Sequence, residues 1–398
     1  MSSANGIGQH IAYLVMMCLL LFAILFIIEY RFADFIIYEW IAFVGKSPPD
    51  EGTTDRDVLL EKQRVRNDTI NHNLYEVVLK DVTKYYGNSV VVNQLCLGIK
   101  RSQCFGLLGL RGAGKTSVFQ MMTGETRFSC GEAWISDTNL RTHLRKAYKH
   151  IGYCPQNDAL IEDLTGKETL VIFCLIRGIP LGECAATAKQ LAREFRFYDY
   201  IDQRISQYSV GNKRKLSTAL ALIGEPQTIL LDEPTTGMDF GSKRFLWNAL
   251  TRIRDNGKCL ILVSRFMEEC EAICTRVGIM VNGALQCLGA PHRLKTEFSD
   301  LHLLIVKLKT VGDMEKRQED INEINSLVSE HFETFHRVEG NPIDIIYILR
   351  EVKVPMSKMF AVMEKAKEEM EAIFDYSISH FGLEQIFFVF TQRQLEEQ

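Results

Sequence analysis

The chain has 398 residues, of which 46% are hydrophobic and 24% charged, and its formal net charge is −4. This ordinary composition excludes a collagen-like or disordered chain, and at about 150 residues per domain the length predicts two or three domains. The chain also lacks the surplus of Lys and Arg that phosphate neutralisation requires, so we do not expect a dedicated nucleic-acid-binding protein.

The first predicted element is an uncharged segment of 18 residues, Ile11 to Ile28. As a helix it would be about 27 Å long, which is close to the thickness of the hydrocarbon core of a bilayer. The basic residues before and small residues after it that mark a signal peptide are missing. We therefore predict a transmembrane helix in residues 1–30, with a buried core helix as the alternative. Lys and Arg occur only after this segment, beginning at Arg31, which predicts that the rest of the chain lies in the cytosol.

Residues 31–73 are predicted to form an interfacial segment and a linker. The aromatic and apolar stretch from Phe35 to Gly45 fits an interfacial helix anchored by Tyr38 and Trp40, or equally a packed elbow. The Pro-, Gly- and charge-rich stretch from Lys46 to Asp68 is typical of a mobile linker.

Residues 74–300 are predicted to form one α/β domain. Short β-like runs, such as Val77 to Val82, Cys104 to Gly109 and Ile229 to Glu233, alternate here with helical stretches. This alternation is typical of a mostly parallel sheet that is flanked by helices.

A glycine-rich loop within this domain is the first candidate site. Residues Gly109 to Thr116 read GLRGAGKT and match G-x-x-x-x-G-K-[ST] between a predicted strand and a predicted helix. Glycines allow backbone N–H groups to surround phosphate oxygens, and the following helix N-terminus favours negative charge. Lys115 is expected to reach the β- and γ-phosphates, and the Thr116 hydroxyl to bind Mg²⁺. An ordinary Gly-rich turn is the alternative, and the flanking strand and helix argue against it. The predicted nucleotide-binding residues of the loop are Gly109, Leu110, Arg111, Gly112, Ala113, Gly114, Lys115, Thr116 and Ser117.

The second candidate element is an apolar strand that ends in two carboxylates, Asp232 and Glu233. An open α/β sheet binds its ligands at the carboxyl ends of its strands. Asp232 is expected to hold the water shell of a metal ion, and Glu233 to orient or deprotonate the attacking water. A solvated acidic turn is the alternative, and the presence of a P-loop in the same chain argues against it. Asp239 closes the turn after this strand.

Residues 301–398 are predicted to form a second, smaller unit. Three β-like runs alternate here with three helical runs, which is typical of an α+β unit of ferredoxin-like type. His331, His336 and His380 are isolated along this unit, so we expect surface or packed histidines rather than a catalytic or metal site.

The 11 cysteines include no C-x-x-C pair, so neither a disulfide framework nor a zinc site is expected. Cys270 and Cys274 lie four residues apart on a predicted helix, and we expect them to pack in the core rather than to bind a metal.

The segment from Tyr208 to Ser217, YSVGNKRKLS, is followed by ALALIGEP and ILLDEPTTGMD. Together these resemble the signature helix and Walker B motif of an ATP-binding cassette, and specifically of subfamily A of the ABC transporters, which are lipid exporters. The segments FGLLGLRGAGKTS, IGYCPQNDAL, LTGKETL and MEECEAICTR support this resemblance. Near the C-terminus, DYSIS and LEQIFFVF resemble the regulatory domain of these exporters, and Ile11 to Ile28 resembles the last membrane helix of a transmembrane domain. A P-loop GTPase lacks the signature segment.

The resemblance implies a P-loop NTPase fold in which two cassettes pack head to tail. Each ATP then lies between the P-loop of one cassette and the signature of the other. It implies that Tyr86 stacks on adenine, with Tyr85 as the second candidate, and that Gln156 contacts Mg²⁺. The implied Mg²⁺ ligands are Thr116, Gln156 and Asp232, and the implied cofactors are ATP and Mg²⁺. The residues assigned to the ATP of the partner are Ser209, Val210, Gly211 and Asn212, and Asp239 is assigned to the D-loop.

The chain departs from the family pattern first in the signature. Val210 stands where the pattern has its first glycine, and a β-branched residue is costly where the backbone needs positive φ or approaches a phosphate closely. Harmless variation is the alternative, because Ser209 and Gly211 remain.

The second departure is Arg265, which follows Ser264 where the family usually has a histidine. A guanidinium group donates hydrogen bonds and stays charged, so it can hold a γ-phosphate but cannot accept a hydrogen bond from water. With Glu233 and Arg265 as the catalytic residues, we expect firm ATP binding with slow turnover.

The resemblance implies an ABC-type ATPase that couples ATP binding and hydrolysis to transmembrane lipid transport. The alternative is a catalytically weak regulatory protein that binds ATP and pairs with a complete transporter; a soluble cassette acting on ribosomes or chromosomes is disfavoured. Because one helix cannot enclose a pathway, the transmembrane domains must be supplied elsewhere, by a longer product or by another chain. The expected partners are a second cassette, of the same or another chain, those transmembrane domains, a lipid substrate and the membrane, with no nucleic acid. The expected location is integral to a membrane, with the cassette and regulatory domain cytoplasmic.

Overall fold

The computed structural model describes residues 3–29, 55–67, 74–87, 89–297, 302–309, 314–332, 335–338, 344–349, 356–370, 372–380, 382, 384 and 386–387. The stretch from Phe35 to Gly45 lies outside these residues, as do the predicted linker up to residue 54 and the chain beyond residue 387.

Helix α1 spans Ser3–Glu29. Its described side chains include exposed Leu19, Phe22 and Leu25. Among the residues that the structure describes, no helix has the length and apolar character that crossing a membrane requires.

Helix α2, Arg56–Arg66, lies where the sequence analysis predicts a mobile linker, so that prediction is wrong for these residues. The Asp55 side chain caps the helix by accepting a hydrogen bond from the Asp57 N–H at 2.8 Å. Val58 and Val65 are buried against the domain that follows. Glu61 is also buried, and its Oε1 accepts a hydrogen bond from the N–H of Gly98 at 2.9 Å. The helix therefore packs on the α/β domain.

The remaining elements follow in chain order. They are β1 Tyr75–Tyr86, β2 Ser89–Lys100, β3 Cys104–Leu108, α3 Lys115–Met122, β4 Cys130–Ile135, β5 Thr138–Asn139, α4 Leu144–Ala147, β6 Ile151–Cys154, α5 Gly166–Ile176, α6 Leu181–Glu194, α7 Val210–Leu222, β7 Thr228–Asp232, α8 Phe240–Asp255, β8 Cys259–Val263, α9 Met267–Ile273, β9 Arg276–Val281, β10 Ala284–Gly289, α10 Pro291–Glu297, β11 His302–Leu308, α11 Met314–His331, β12 Phe335–Val338, β13 Asp344–Leu349, α12 Met356–Glu369 and β14 Ile373–His380.

The central sheet has the order β10-β9-β3-β8-β7-β6, and its described pairings are parallel except for β9 with β10. The prediction of a mostly parallel sheet is confirmed for this layer. Strands β7 and β8 are buried at every position, as expected for parallel strands that are covered on both faces. Because side chains alternate along a strand, Leu231 and Leu262 join the core on the helical side, and Leu230 and Ile261 join the core on the opposite face.

A second, antiparallel sheet with the order β2-β1-β4-β5 covers that opposite face. The sequence analysis predicts only the β1 strand of this sheet. Strands β2, β4 and β5 are missing from the prediction because polar residues interrupt their apolar positions, and their burial depends on pairing within the sheet.

The C-terminal unit follows the order strand, helix, strand, strand, helix, strand over β11 to β14. Its sheet has the order β12-β13-β11-β14 and all its described pairings are antiparallel. Val328, Met359 and Met363 of its two helices pack with Leu304 and Tyr347 of its sheet. This unit therefore has a core of its own.

Candidate functional site

The glycine-rich loop connects β3 to α3, so that it lies at the carboxyl end of a central strand and at the start of a helix. Gly114 immediately precedes α3 with φ of 101°, in the left-handed region that glycine adopts most readily. A Cβ atom at Gly114 would stand only 2.4 Å from the carbonyl oxygen of Val91. Both the backbone conformation and the close approach of β2 therefore require glycine here.

Lys115 is buried, and its ammonium group is held by the loop itself. Its Nζ donates hydrogen bonds to the carbonyl oxygens of Gly109 at 2.7 Å and Leu110 at 2.8 Å. Burial lowers the pKa of Lys115 to about 8, although the negative charges of Glu233 and Asp232 oppose this shift. The ammonium group thus lies in the loop, within the electrostatic reach of both carboxylates.

Asp232 ends β7 and is 2% exposed. Burial and the neighbouring Glu233 raise the pKa of Asp232 to about 6, and the charges of Arg214, Lys115 and Arg265 only partly offset this. The structure therefore brings the P-loop lysine, both predicted carboxylates and Arg265 together at one edge of the sheet.

The Glu233 carboxylate is engaged on both oxygens. Oε1 accepts a hydrogen bond from Nε of Arg265 at 2.5 Å. Oε2 accepts hydrogen bonds from Nε2 of Gln156 at 3.2 Å and from Oγ1 of Thr236 at 3.3 Å. Glu233 itself is buried, whereas Arg265 is 46% exposed. In this arrangement a guanidinium group neutralises the carboxylate that is predicted to act on water.

Arg214 of α7 is a site residue that the sequence analysis does not predict. It is 2% exposed, and its guanidinium donates hydrogen bonds to two segments next to Glu233. The acceptors are the carbonyl oxygens of Pro155, Asp232, Glu233 and Pro234 and the carboxylate of Asp158. Lys213 and Lys215 stand on either side of it, so the local sequence gives no signal that this cation is buried. Arg214 therefore fixes the backbone that carries the carboxylates to the segment that carries Gln156.

The signature residues lie at the start of α7. Oγ of Ser209 accepts a hydrogen bond from the N–H of Asn212 at 3.2 Å, which caps the helix. Val210 is 59% exposed, and its side chain lies beside Gly237. Within the described part of the chain, no hydrogen bond or ion pair joins Ser209, Val210, Gly211 or Asn212 to the P-loop. The structure does not bring these residues into the site of their own chain.

Asp239 and Tyr86 lie on the periphery. Asp239 Oδ2 accepts a hydrogen bond from the N–H of Ser242 at 2.9 Å, which caps α8 and lowers the pKa of Asp239. Tyr86 is exposed at the end of β1, and its hydroxyl lies 3.5 Å from Oε1 of Gln120 on α3. Its ring is therefore placed beside the helix that follows the P-loop. The neighbouring Tyr85 donates its N–H to Oγ of Ser129.

Among the described residues, no group of three or more His, Cys, Asp or Glu side chains is placed to hold a metal ion. The buried Asp232 carboxylate, the exposed Thr116 hydroxyl and the Gln156 amide are oxygen donors, which fits Mg²⁺ bound together with phosphates rather than in a protein cage. Cys270 and Cys274 are both buried in the core, and Cys274 Sγ lies 3.7 Å from Cys104 Sγ. They pack against Gly106 of β3, as expected.

The profile of the ABC transporter family matches residues 92–236 of the chain. The human phospholipid-transporting ATPase ABCA3 is 39% identical over 344 residues, which is 85% of this chain and 20% of that protein. The rat ATP-binding cassette sub-family A member 17 is 40% identical over 346 residues, or 86% of this chain and 19% of that protein. The chain thus spans about a fifth of the length of these relatives.

Solved structures share the fold. The ATP-binding subunit of an ABC transporter superposes with a TM-score of 0.52 at 24% identity, over 56% of this chain and 92% of that chain. A dimeric post-hydrolysis state of the ATP-binding cassette MJ0796, bound to ADP and Pi, superposes with a TM-score of 0.51 at 21% identity, over 54% of this chain and 98% of that chain.

Proposed function

Because the chain belongs to subfamily A of the ABC transporters, we propose that it is an ATP-binding and ATP-hydrolysing cassette that drives lipid transport. The observation that carries the proposal is the convergence of Lys115, Asp232 and Glu233 at the start of α3. A lysine within a glycine-rich loop at a helix N-terminus binds a triphosphate, and an adjacent carboxylate can act on water.

ATP binding requires Lys115 to exchange two neutral carbonyl partners for phosphate oxygens. Its ammonium group already lies inside the loop, so this exchange needs only a change of acceptor. Thr116, Gln156 and Asp232 are the residues that would hold Mg²⁺, which neutralises phosphate charge when it is bound. Glu233 then orients the attacking water and accepts its proton, and Tyr86 stacks on adenine.

Slow turnover follows from the pairing of Glu233 with Arg265. The Arg265 guanidinium occupies Oε1 of Glu233, so this oxygen is not available to hold the attacking water. The γ-phosphate offers Arg265 a competing anionic acceptor, but the guanidinium cannot accept a hydrogen bond from water. This pairing also supports the second candidate function, a catalytically weak ATP-binding partner of a complete transporter.

A second cassette is part of the proposal, because Ser209, Val210, Gly211 and Asn212 are assigned to the ATP of a partner. The exposure of Ser209 and Val210 at the start of α7 supports this, as does the dimer in which the related cassette MJ0796 was solved. Val210 weakens the capping of the partner's ATP. The partner cassette belongs to the same or another chain, and Asp239 lies in the loop that meets it.

The membrane parts of the proposal rest on other observations. The transmembrane helix in residues 1–30 rests on the uncharged sequence segment Ile11 to Ile28 alone, and the Lys and Arg residues that follow it support a cytoplasmic cassette and C-terminal unit. Further transmembrane domains come from elsewhere. The relatives named as phospholipid-transporting ATPases support a lipid as substrate.

After residues 1–30, we propose an interfacial segment and linker that ends at about residue 54. Helix α2 then belongs to the cassette, which continues to residue 300. The strand order of the C-terminal unit supports a ferredoxin-like regulatory domain in residues 301–398.

ATP hydrolysis by the full chain in membrane vesicles tests the proposal. We expect slow hydrolysis that Glu233→Gln abolishes, and a rate at least several-fold higher when Val210→Gly and Arg265→His are combined. Absence of hydrolysis in every variant would refute the ATPase function. Equal rates for the wild type and the double variant would refute the assignment of slow turnover to these two positions.

A further inference from the structure

Glu269 is a fully buried carboxyl group that the proposed mechanism does not use. It lies in the first turn of α9 and is 0% exposed. Its Oε2 accepts a hydrogen bond from Oγ of Ser264 at 2.6 Å. Burial raises the pKa of the Glu269 carboxyl, and interactions with Ser264, Thr235, Trp247 and Lys243 only partly offset this. A buried carboxyl of this kind is costly, so its partners define what it does.

Ser264 connects Glu269 to the turn that carries Arg265. The Ser264 hydroxyl donates to Glu269 and also accepts a hydrogen bond from the N–H of Phe266 at 3.0 Å. These two bonds fix the residues on either side of Arg265, since Ser264 precedes it and Phe266 follows it. The direction in which the Arg265 side chain leaves the backbone is therefore set by a hydroxyl group that Glu269 holds.

Glu269 also faces the segment that carries Glu233. Thr235 lies two residues after Glu233, and its hydroxyl lies close enough to the Glu269 carboxyl to lower the pKa of that carboxyl. The indole N–H of Trp247 on α8 also lowers the pKa of this carboxyl. Oε1 of Glu269, Oγ1 of Thr235 and Nε1 of Trp247 are all buried without a hydrogen-bond partner within the described part of the chain. Among the described residues, the contact of hydrogen-bond geometry that the Glu269 carboxyl makes is therefore the one with Ser264.

We propose that Glu269 is a positioning residue for the Arg265–Glu233 ion pair. Its carboxyl group accepts the hydrogen bond of Ser264 and so holds the turn that carries Arg265. This contact keeps the guanidinium on the carboxylate and so keeps hydrolysis of the bound ATP slow. This inference rests on the proposed function, because it assumes ATP hydrolysis at Glu233.

The direction of the effect separates this role from a merely structural one. If the Glu269 carboxyl only stabilised the fold, its substitution would lower activity. If Glu269 holds an inhibitory ion pair in place, its substitution would raise activity. That rise would disappear once Arg265 no longer pairs with Glu233.

The experiment measures the single-turnover rate of ATP hydrolysis and the dissociation constant for ATP with the full chain. Glu269→Gln and Ser264→Ala should each raise the rate about fivefold, with the dissociation constant changed less than about twofold. In an Arg265→His background, Glu269→Gln should have no further effect on the rate, because the two changes act on one interaction. Glu271→Gln is the matched control: it removes an exposed carboxylate of the same helix that pairs with Lys295, and its rate should equal that of the wild type.

A rate that falls or stays unchanged in both Glu269→Gln and Ser264→Ala overturns the inference, as does a rise that persists in the Arg265→His background. If Glu269→Gln does not fold, Ser264→Ala alone decides the matter by the same criteria. If the wild type hydrolyses no ATP in a single turnover, the proposed function fails and the inference fails with it. Hydrolysis by the wild type without a rise in the variants refutes only the positioning role of Glu269.

Discussion

Nε of Arg265 lies 2.5 Å from Oε1 of Glu233, although 32 residues separate them in the chain. The two residues follow β8 and β7, which are adjacent parallel strands paired from Thr228 with Cys259 to Asp232 with Val263. The sheet register therefore brings them to the same edge. Because Glu233 is the carboxylate expected to act on water, this ion pair links the architecture of the sheet to the rate of hydrolysis.

Arg265→His should raise the rate of ATP hydrolysis about tenfold, because a neutral imidazole frees the Glu233 carboxylate and can also accept a hydrogen bond. Steady-state ATPase measurements should show the change in kcat, with KM for ATP changed much less. Arg252→His is the control, because Arg252 is exposed on α8 and donates to the carbonyl oxygen of Asn248 within its own helix. A kcat for Arg265→His at or below that of the wild type would contradict the inhibitory role of the ion pair.

The affinity for ATP should fall about tenfold between pH 7 and pH 9, because Lys115 has a pKa of about 8 and binds phosphate only when it is protonated. Below pH 8 the ammonium form predominates, so this group makes little difference to binding there. Equilibrium binding of a labelled ATP analogue across this range measures the effect. Lys115→Arg stays charged throughout and should lose this dependence, whatever its absolute affinity. Constant affinity of the wild type from pH 7 to pH 9 would count against the site.

Glu61→Gln should lower the free energy of unfolding by about 3 kcal/mol, because it removes one partner of a buried ion pair. Glu61 Oε2 lies 2.7 Å from Nη2 of Arg276, and burial of Glu61 is outweighed by Arg276, Gly98 and Arg64, so its pKa is lowered. Denaturant unfolding of the full chain measures the change. Glu369→Gln is the control: it breaks the exposed pair with Lys365 and should change stability by less than about 0.5 kcal/mol. Equal losses in the two variants would mean that α2 is not anchored by Glu61.

Much of the site is predictable from the sequence because its chemistry is local. Eight consecutive residues define the loop around Lys115, and an apolar run ending in Asp232 and Glu233 defines the second half. The motif requires a strand before it and a helix after it, so the strand β3 and the helix α3 follow from the same residues. Strands β7 and β8 are equally predictable, because a parallel strand that is covered on both faces is a continuous apolar run in the sequence.

The rest of the site depends on contacts between distant segments. The sequence identifies Arg265 as a departure from the family pattern, but its pairing with Glu233 requires the strand register. Helix α2 is predicted to be a linker because its composition is charged. Its signals are the capping Asp55 and the seven-residue spacing of Val58 and Val65, with Glu61 between them on the buried face. The guanidinium of Arg214 donates to five acceptors in two other segments. These contacts between distant segments cannot be predicted from the local sequence.

The most direct test of the account is equilibrium binding of labelled ATP to the purified full chain with magnesium at pH 7, compared between the wild type and Lys115→Ala. We expect the wild type to retain the nucleotide, and Lys115→Ala to bind it about a hundredfold more weakly, because a charge-assisted contact to phosphate is lost within a buried loop. Wild-type protein that retains no ATP at millimolar concentration, or a Lys115→Ala variant with the wild-type affinity, would contradict the account.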